Sequence, residues 1–285
     1  MTVSLPPDAP PGLAARLDRL RAILEELGSL CIGYSGGVDS VFLARVAIDV
    51  LGRDRVLAVT GRSDAYPAVQ HEMALRCVRE FEIPHLEIGT AELEDPRYTS
   101  NPVNRCYFCK TELWGRLGGI ARERGLAHVA DGSNADDAHD FRPGMTAAEE
   151  HAVRSPLLEA GLTKADIRAA SVAMRLPTWD QPSSPCLSSR LPYGVAVTRE
   201  RLRQVEQAEA LLRGRGFREF RVRHHGDVAR IEVAPGEMVR ALSQAESLDR
   251  ALRALGFDAV LLDVNGYRRG ALNEGLTVLE TSPDS

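Results

Sequence analysis

The sequence predicts an α/β protein, with a parallel-sheet domain followed by a smaller α+β domain. Three observations carry that expectation. Over the first half of the chain, short apolar runs alternate with amphipathic stretches, which is how strands feed helices around a parallel sheet. The composition is globular, 44% hydrophobic and 26% charged. Four prolines between Pro177 and Pro192 then interrupt regular structure before a second pattern begins.

The elements follow in order. Leu13, Leu17, Leu20, Leu24 and Leu27 recur at helical spacing, so 13–27 is a helix. Leu30 to Tyr34 is a buried strand running into Ser35-Gly36-Gly37, a turn. A helix over 41–51, a strand over 55–60, a helix over 68–81 and a strand over 85–88 continue the alternation. Residues 92–105 are polar and hold Pro96 and Pro102, so a loop is expected there. A helix over 106–124 and a strand over 128–130 follow, then an Asp-, Asn- and Gly-rich loop over 131–144. Thr163 with Asp166 reads as a capping box opening a helix to Leu176. In the second unit the expected elements are a helix over 200–213, strands over 217–222 and 229–233 joined at His225-Gly226-Asp227, a helix over 236–255 and a strand over 259–264. The boundary between the two domains is placed after residue 192, giving domains over 13–192 and 193–275.

Length and composition narrow the function. A chain of 285 residues builds one large domain or two ordinary ones. A net charge of −5 gives no support to a general nucleic-acid-coating protein. Five cysteines, an odd and sparse count, argue against a secreted disulfide scaffold. The first residues are Pro-rich without an export pattern, and no apolar run approaches the roughly 20 residues of a membrane helix. A cytoplasmic protein without a membrane partner is expected. Of the 35 Lys and Arg residues only Lys110 and Lys164 are lysines, which fits a codon bias toward arginine.

The strongest local signal is Ser35-Gly36-Gly37-Val38-Asp39-Ser40, set between an expected strand and helix. Two glycines let the backbone turn tightly, and the N–H groups at the helix start, with the Ser35 and Ser40 hydroxyls, suit an anion. The Lys-Ser/Thr ending of a Walker loop is absent. Asp39 beside phosphates suits Mg²⁺. A second element, Asp131-Gly132-Ser133-Asn134-Ala135-Asp136-Asp137, follows a strand and would meet the same crevice at the carboxyl edge of a parallel sheet. Asp131 and Asp137 are the candidates there, against the alternative of a plain Asx-rich turn.

A third element is Cys106-Tyr107-Phe108-Cys109, which puts two thiols on one face at a helix start, where the dipole favours thiolate. A single CxxC admits redox, metal-binding or packing readings. Cys186 is the natural third thiol, and three such ligands would leave one iron of a 4Fe-4S cluster open to a sulfide. Cys31 and Cys77 fall on core positions. The fourth element is basic: Arg218, Arg221, Arg223, His224, His225 and Arg230, with Tyr267-Arg268-Arg269-Gly270 further on. On a strand Arg221 and Arg223 share a face, and two guanidinium forks suit one phosphate, against the alternative of a solvated charged face.

The Ser35–Ser40 hexapeptide resembles the loop of the ATP pyrophosphatase (PP-loop) superfamily. The fuller set is similar to the LarE family of ATP-dependent sulfur transferases in nickel-pincer cofactor synthesis. That set comprises the hexapeptide, Asn101-Pro102, Arg105 to Lys110, Asp131 to Asp137, Arg142-Pro143-Gly144, Ser155 to Leu162, Lys164 to Arg168, Pro177 to Asp180, Cys186 to Gly194, Arg221 to Arg223 and Ile231 to Val233. The resemblance runs from about residue 13 to 273. It implies that ATP, with Mg²⁺, adenylates the carboxylates of pyridinium-3,5-biscarboxylic acid mononucleotide, releasing pyrophosphate, and that sulfur then replaces AMP. Ser35, Gly36, Gly37, Asp39, Ser40 and Asp131 would bind ATP, and Arg221 and Arg223 the substrate phosphate. In one branch of the family the cysteine at the position of Cys186 gives up its own sulfur and becomes dehydroalanine. In the other, three cysteines hold a 4Fe-4S cluster carrying a sulfide, supplied by a sulfide or persulfide donor. Cys106, Cys109 and Cys186 favour the cluster branch. The family also implies a homo-oligomer. A tRNA thiolase is the nearest rival, disfavoured by the net charge and by the absence of an evident RNA-binding module; a non-catalytic nucleotide- or zinc-binding module and an amidotransferase are more distant.

Overall fold

The computed structural model describes residues 9–139 and 143–268. The chain divides into two compact units, Met1–Cys186 with Ala196–Arg199, and Leu187–Val195 with Glu200–Ser285. It therefore crosses between units more than once, where the sequence reading placed a single boundary.

The first unit is built on four parallel strands in the order β3-β2-β1-β4: β1 Leu30–Gly33, β2 Val56–Arg62, β3 His85–Gly89 and β4 His128–Ala130. β1 lies inside the sheet, pairing Leu30 with Val56 on one side and with His128 on the other. Leu30, Cys31 and Ile32 are fully buried, so this strand is a continuous apolar run, as a strand covered on both faces must be. Helices α1 Leu13–Leu27, α2 Val38–Leu51, α3 Ala68–Glu80, α5 Arg105–Arg124 and α8 Lys164–Ala173 form most of the rest, with α4 Pro96–Thr99, α6 Pro143–Glu150 and α7 Pro156–Glu159 as shorter pieces. The leucine stripe of α1 packs with α2, β1 and α8 in one apolar cluster. Each buried leucine contributes about 1.5–3 kcal/mol, so this cluster anchors the helix that leads into the sheet. Cys77 belongs to that cluster, and Cys31 to a second one with Trp114, Leu117 and Val129.

The strand order fixes where a ligand can lie. From β1 the chain steps to β2 and β3 in one direction, and β4 then pairs on the other side of β1. The segments leaving β1 and β4 diverge at that reversal, which opens the crevice of a doubly wound sheet at the strands' carboxyl ends. Residues 34–37 and 131–134 occupy those two exits.

The second unit has its own apolar core, formed by Leu212, Phe217, Phe220, Val222, Ile231, Leu248 and Leu252 among others. Its sheet runs β5 Phe220–His225, β6 Val228–Val233, β7 Ala259–Leu262, antiparallel between β5 and β6 and parallel between β6 and β7. Helix α9 Arg199–Gly214 enters the unit, and α10 Met238–Ser243 and α11 Ala245–Arg253 connect β6 to β7.

Four local expectations are corrected. Residues 92–105 contain a 3-10 turn at Glu92–Glu94 and helix α4, because Asp95 caps α4 by accepting from Arg97 N at 2.8 Å and Pro96 opens its first turn. The segment 131–144 is not all loop: Ala135–His139 forms a 3-10 turn and α6 begins at Pro143. Helix α7 was not expected. The helix over 236–255 is two, because the turn at Gln244 closes α10 and opens α11. Of the quoted motifs, Arg142, Arg269 and Gly270 lie outside the described residues.

Candidate functional site

The loop after β1 is shaped by its own residues. Ser35 N donates to Ser40 Oγ at 3.2 Å, the two serine hydroxyls are 3.2 Å apart, and Ser40 Oγ donates to Gly37 O at 3.2 Å. Gly36 has φ +66°, and a Cβ there would come within 2.5 Å of Ala74 Cβ and 2.7 Å of its Cα. Both the left-handed backbone and the close approach of α3 require glycine. From outside, the Tyr66 hydroxyl and Gln70 Nε2 donate to Ser35 O at 2.9 and 3.0 Å. These two braces escaped the sequence reading, since neither lies in a motif. With the loop so fixed, the first N–H groups of α2, left unpaired by the helix, are of the kind that suits an anion.

Asp39 lies in the first turn of α2. Its Oδ1 is buried and accepts no hydrogen bond, whereas Oδ2 takes the Lys164 ammonium at 2.5 Å. Burial raises the Asp39 carboxyl above the usual range, Lys164 and Arg168 work against that rise, and Asp137 adds to it. A buried carboxylate oxygen with no donor fits a hard divalent cation, so Asp39 suits Mg²⁺. The β4 exit packs tightly against this turn: a Cβ on Gly132 would sit 3.1 Å from Ser40 N.

The structure gives Asp131 a bracing role. Its Oδ1 accepts from Ser133 N at 3.0 Å and from Ser155 Oγ at 2.8 Å, and Oδ2 accepts from Ser133 Oγ at 2.8 Å. This is the Asx turn weighed as its alternative, and Asp137 is the acid that Asp39 senses. Lys164 and Arg168, one turn apart on α8, are the cations brought to Asp39. Sequence reasoning assigned neither; the scarcity of lysine was the available signal for Lys164.

None of the five cysteines is in a disulfide. Cys31 and Cys77 are fully buried, and burial pushes their thiols up to about 12 and about 11. They are core residues, as expected. Cys106 is exposed, and Cys109 and Cys186 are partly buried. The dipole argument for thiolate is corrected at Cys109: burial is the largest cause raising its thiol, followed by the negative fields of Glu92, Cys186 and Cys106, and Lys110 only partly offsets them. Cys109 thus senses both other candidate thiols. Among the described residues, however, no group of three or more His, Cys, Asp or Glu side chains is placed to hold a metal ion. The three thiols as they stand do not form the ligand set of a cluster.

In the second unit, Arg223 is already paired. Its Nε and Nη2 donate to Glu232 Oε2 at 3.0 and 2.9 Å, and Nη1 to Ser189 O at 2.8 Å. Arg230 reaches the other oxygen of Glu232 at 2.8 Å. Arg190 and Glu209 form a buried two-bond pair at 2.8 Å. Arg221 donates to Phe220 O at 2.6 Å and lies over the Tyr267 ring at 4.8 Å. Burial, then the Arg190 charge, lowers its pKa, so an anion there would stabilise the guanidinium. Arg218 N donates to the Glu237 carboxylate, and His224 pairs with Gln204 at 3.0 Å. Burial lowers the pKa of both His224 and His225.

A family model described as NAD synthase matches residues 13–99, which is the stretch from α1 through the loop to α4. The pyridinium-3,5-bisthiocarboxylic acid mononucleotide synthase of Lactiplantibacillus plantarum is 36% identical over 93% of this chain and 96% of its own length. The chain belongs to the LarE family of ATP-dependent sulfur transferases. An uncharacterized protein of Synechocystis is 43% identical over 93% of this chain and 99% of its own length, and one of Methanocaldococcus jannaschii is 25% identical over 84% and 90%. The family makes the chain an ATP-dependent enzyme with a PP-loop domain that uses ATP and Mg²⁺. No helix among the described residues is long and apolar enough to cross a membrane.

Proposed function

We propose that this LarE family member converts the carboxylates of pyridinium-3,5-biscarboxylic acid mononucleotide to thiocarboxylates for nickel-pincer cofactor synthesis. The observation that carries the reading is the preformed Ser35–Ser40 anion loop with the donor-free Asp39 oxygen beside it. Ser35, Gly36, Gly37 and Ser40 bind the ATP phosphates, and Asp39 would hold Mg²⁺, which would supply charge neutralisation at the phosphates. A substrate carboxylate oxygen attacks the α-phosphorus, the bond to the β-phosphate oxygen breaks, and pyrophosphate leaves. A sulfur nucleophile then attacks the acyl carbon and AMP departs. Arg221, its buried charge stabilised by that anion, and Arg223, held by Glu232, bind the substrate phosphate.

Cys106, Cys109 and Cys186 are the sulfur-handling residues of the proposal. Their number and spacing favour a 4Fe-4S cluster, the branch the sequence suggests. In a second reading Cys186 donates its own sulfur. In that reading the Cys186 thiolate displaces AMP to give a thioester. Loss of the Cys186 α-proton and cleavage of its Cβ–S bond then release the thiocarboxylate and leave dehydroalanine.

Anaerobic purification with iron and acid-labile sulfide analysis, beside mass spectrometry of the Cys186 peptide after turnover, tests both readings. Iron and sulfide in equal amounts with an intact Cys186 support the cluster. No iron, with Cys186 lighter by one H₂S, supports donation by Cys186. An intact iron-free chain that forms no thiocarboxylate overturns the proposed activity.

A further inference from the structure

Lys164 is one of two lysines in a chain whose other basic side chains are all arginine. Its ammonium rests 2.5 Å from Asp39 Oδ2, on the carboxylate whose other oxygen is buried and accepts no hydrogen bond. The backbone beneath it is fastened at three points. Thr163 and Asp166 form the capping box of α8. The buried Asp166 carboxylate takes Arg16 at 2.7 Å. Lys164 N donates to Asp136 Oδ2 at 2.9 Å. The side chain itself is 34% exposed, and a four-carbon stem ending in a compact charge can swing without disturbing a fixed helix start. Arg168 stands one turn along the same face, its Nη2 donating to Gln181 O at 2.9 Å.

A lysine ammonium and a divalent cation compete for one carboxylate. We propose that Lys164 is a charge-exchange residue: it holds Asp39 while the loop is empty, which keeps a divalent cation from binding there alone. When the cation arrives with ATP, Lys164 moves to the phosphate oxygens. The Asp39–Lys164 ion pair breaks and N–H···O bonds to phosphate form; no covalent bond changes and no proton is lost. Metal loading is thereby coupled to ATP loading. The inference rests on the ATP-binding reading of the loop and is independent of where the sulfur comes from.

The test titrates Mn²⁺ by electron paramagnetic resonance, without nucleotide and in mildly alkaline buffer, into the wild type, Lys164→Met, Lys164→Arg and the double variant Lys164→Met/Asp39→Asn. Inorganic pyrophosphate binding is measured in parallel by calorimetry. Removing the ammonium is expected to raise Mn²⁺ affinity roughly two- to fivefold, the range for a partly exposed ion pair. Lys164→Arg keeps the wild-type affinity, and the double variant loses the gain. Pyrophosphate affinity falls about tenfold in Lys164→Met, as for the loss of one charge-assisted contact. An Mn²⁺ affinity in Lys164→Met equal to or below that of the wild type overturns the exclusion, as does a gain that survives in the double variant. Unchanged pyrophosphate affinity overturns the move to phosphate. No Mn²⁺ binding to the wild type even with ATP present overturns the ATP reading itself, a result distinguishable from the other two.

Discussion

Around Ser35, hydrogen bonds within the loop and two braces from Tyr66 and Gln70 hold the backbone in one shape. Around Cys109, the other two candidate thiols are close enough to raise its pKa, yet no ligand set forms. The two regions belong to the same unit, so the contrast lies in what each must recruit. An anion loop is made of neighbouring residues and N–H groups that a helix start leaves unpaired in any case. A sulfur site needs thiols from α5 and from a segment far along the chain, so it depends on tertiary packing rather than on neighbouring residues.

The largest expected effect separates the two regions. Cys186→Ser is expected to abolish thiocarboxylate formation while pyrophosphate release persists in a first turnover, as read by product mass and a pyrophosphate assay. Loss of both activities together would mean that the regions are not separable. Asp39→Asn is expected to act on the other side, slowing pyrophosphate release by about 10²-fold or more, the scale for losing a group that organises transition-state charge; stopped-flow release measures it. Gly36→Val tests how far the loop is fixed. Its side chain would meet the backbone of Ala74, and with the left-handed φ the cost is about 3 kcal/mol or more, visible as a lowered Tm.

The smallest effect concerns pH. Cys77 is a buried thiol raised from 9.0 to about 11, by burial first and by Glu80 second. A group whose folded pKa is raised contributes stability that is complete below its unfolded value. That stability is lost as pH climbs through the folded one. Denaturant midpoints are therefore expected to fall between about pH 9 and 11, and less steeply in Cys77→Ala. An equal slope in both proteins would assign the loss to other groups.

Much of this was legible along the chain. The Leu13–Leu27 stripe, the apolar β1 run and the Ser35–Ser40 turn are local signals, each settled within a few residues by periodicity or by glycine. The capping box at Thr163 was legible for the same reason, and both of its bonds form. Helix α6 was hidden because Asp, Asn and Gly dominate the segment before it, and α7 because one turn carries no period. The break at Gln244 was hidden because the apolar spacing runs across it.

The sequence by itself determined the parallel α/β class, the Ser35–Ser40 turn, the family and the division of five cysteines into two core residues and three others. Those are properties of residue type and near spacing. Only the tertiary structure decided that Asp131 braces a turn, that Arg223 is neutralised by Glu232, and that Lys164 lies on Asp39. In each case the outcome depends on which group is packed opposite: Ser133 and Ser155 for Asp131, a carboxylate of the neighbouring hairpin strand for Arg223, and an ammonium from far along the chain for Asp39. A charge's partner is set by packing and burial, and spacing along the chain carries no record of it.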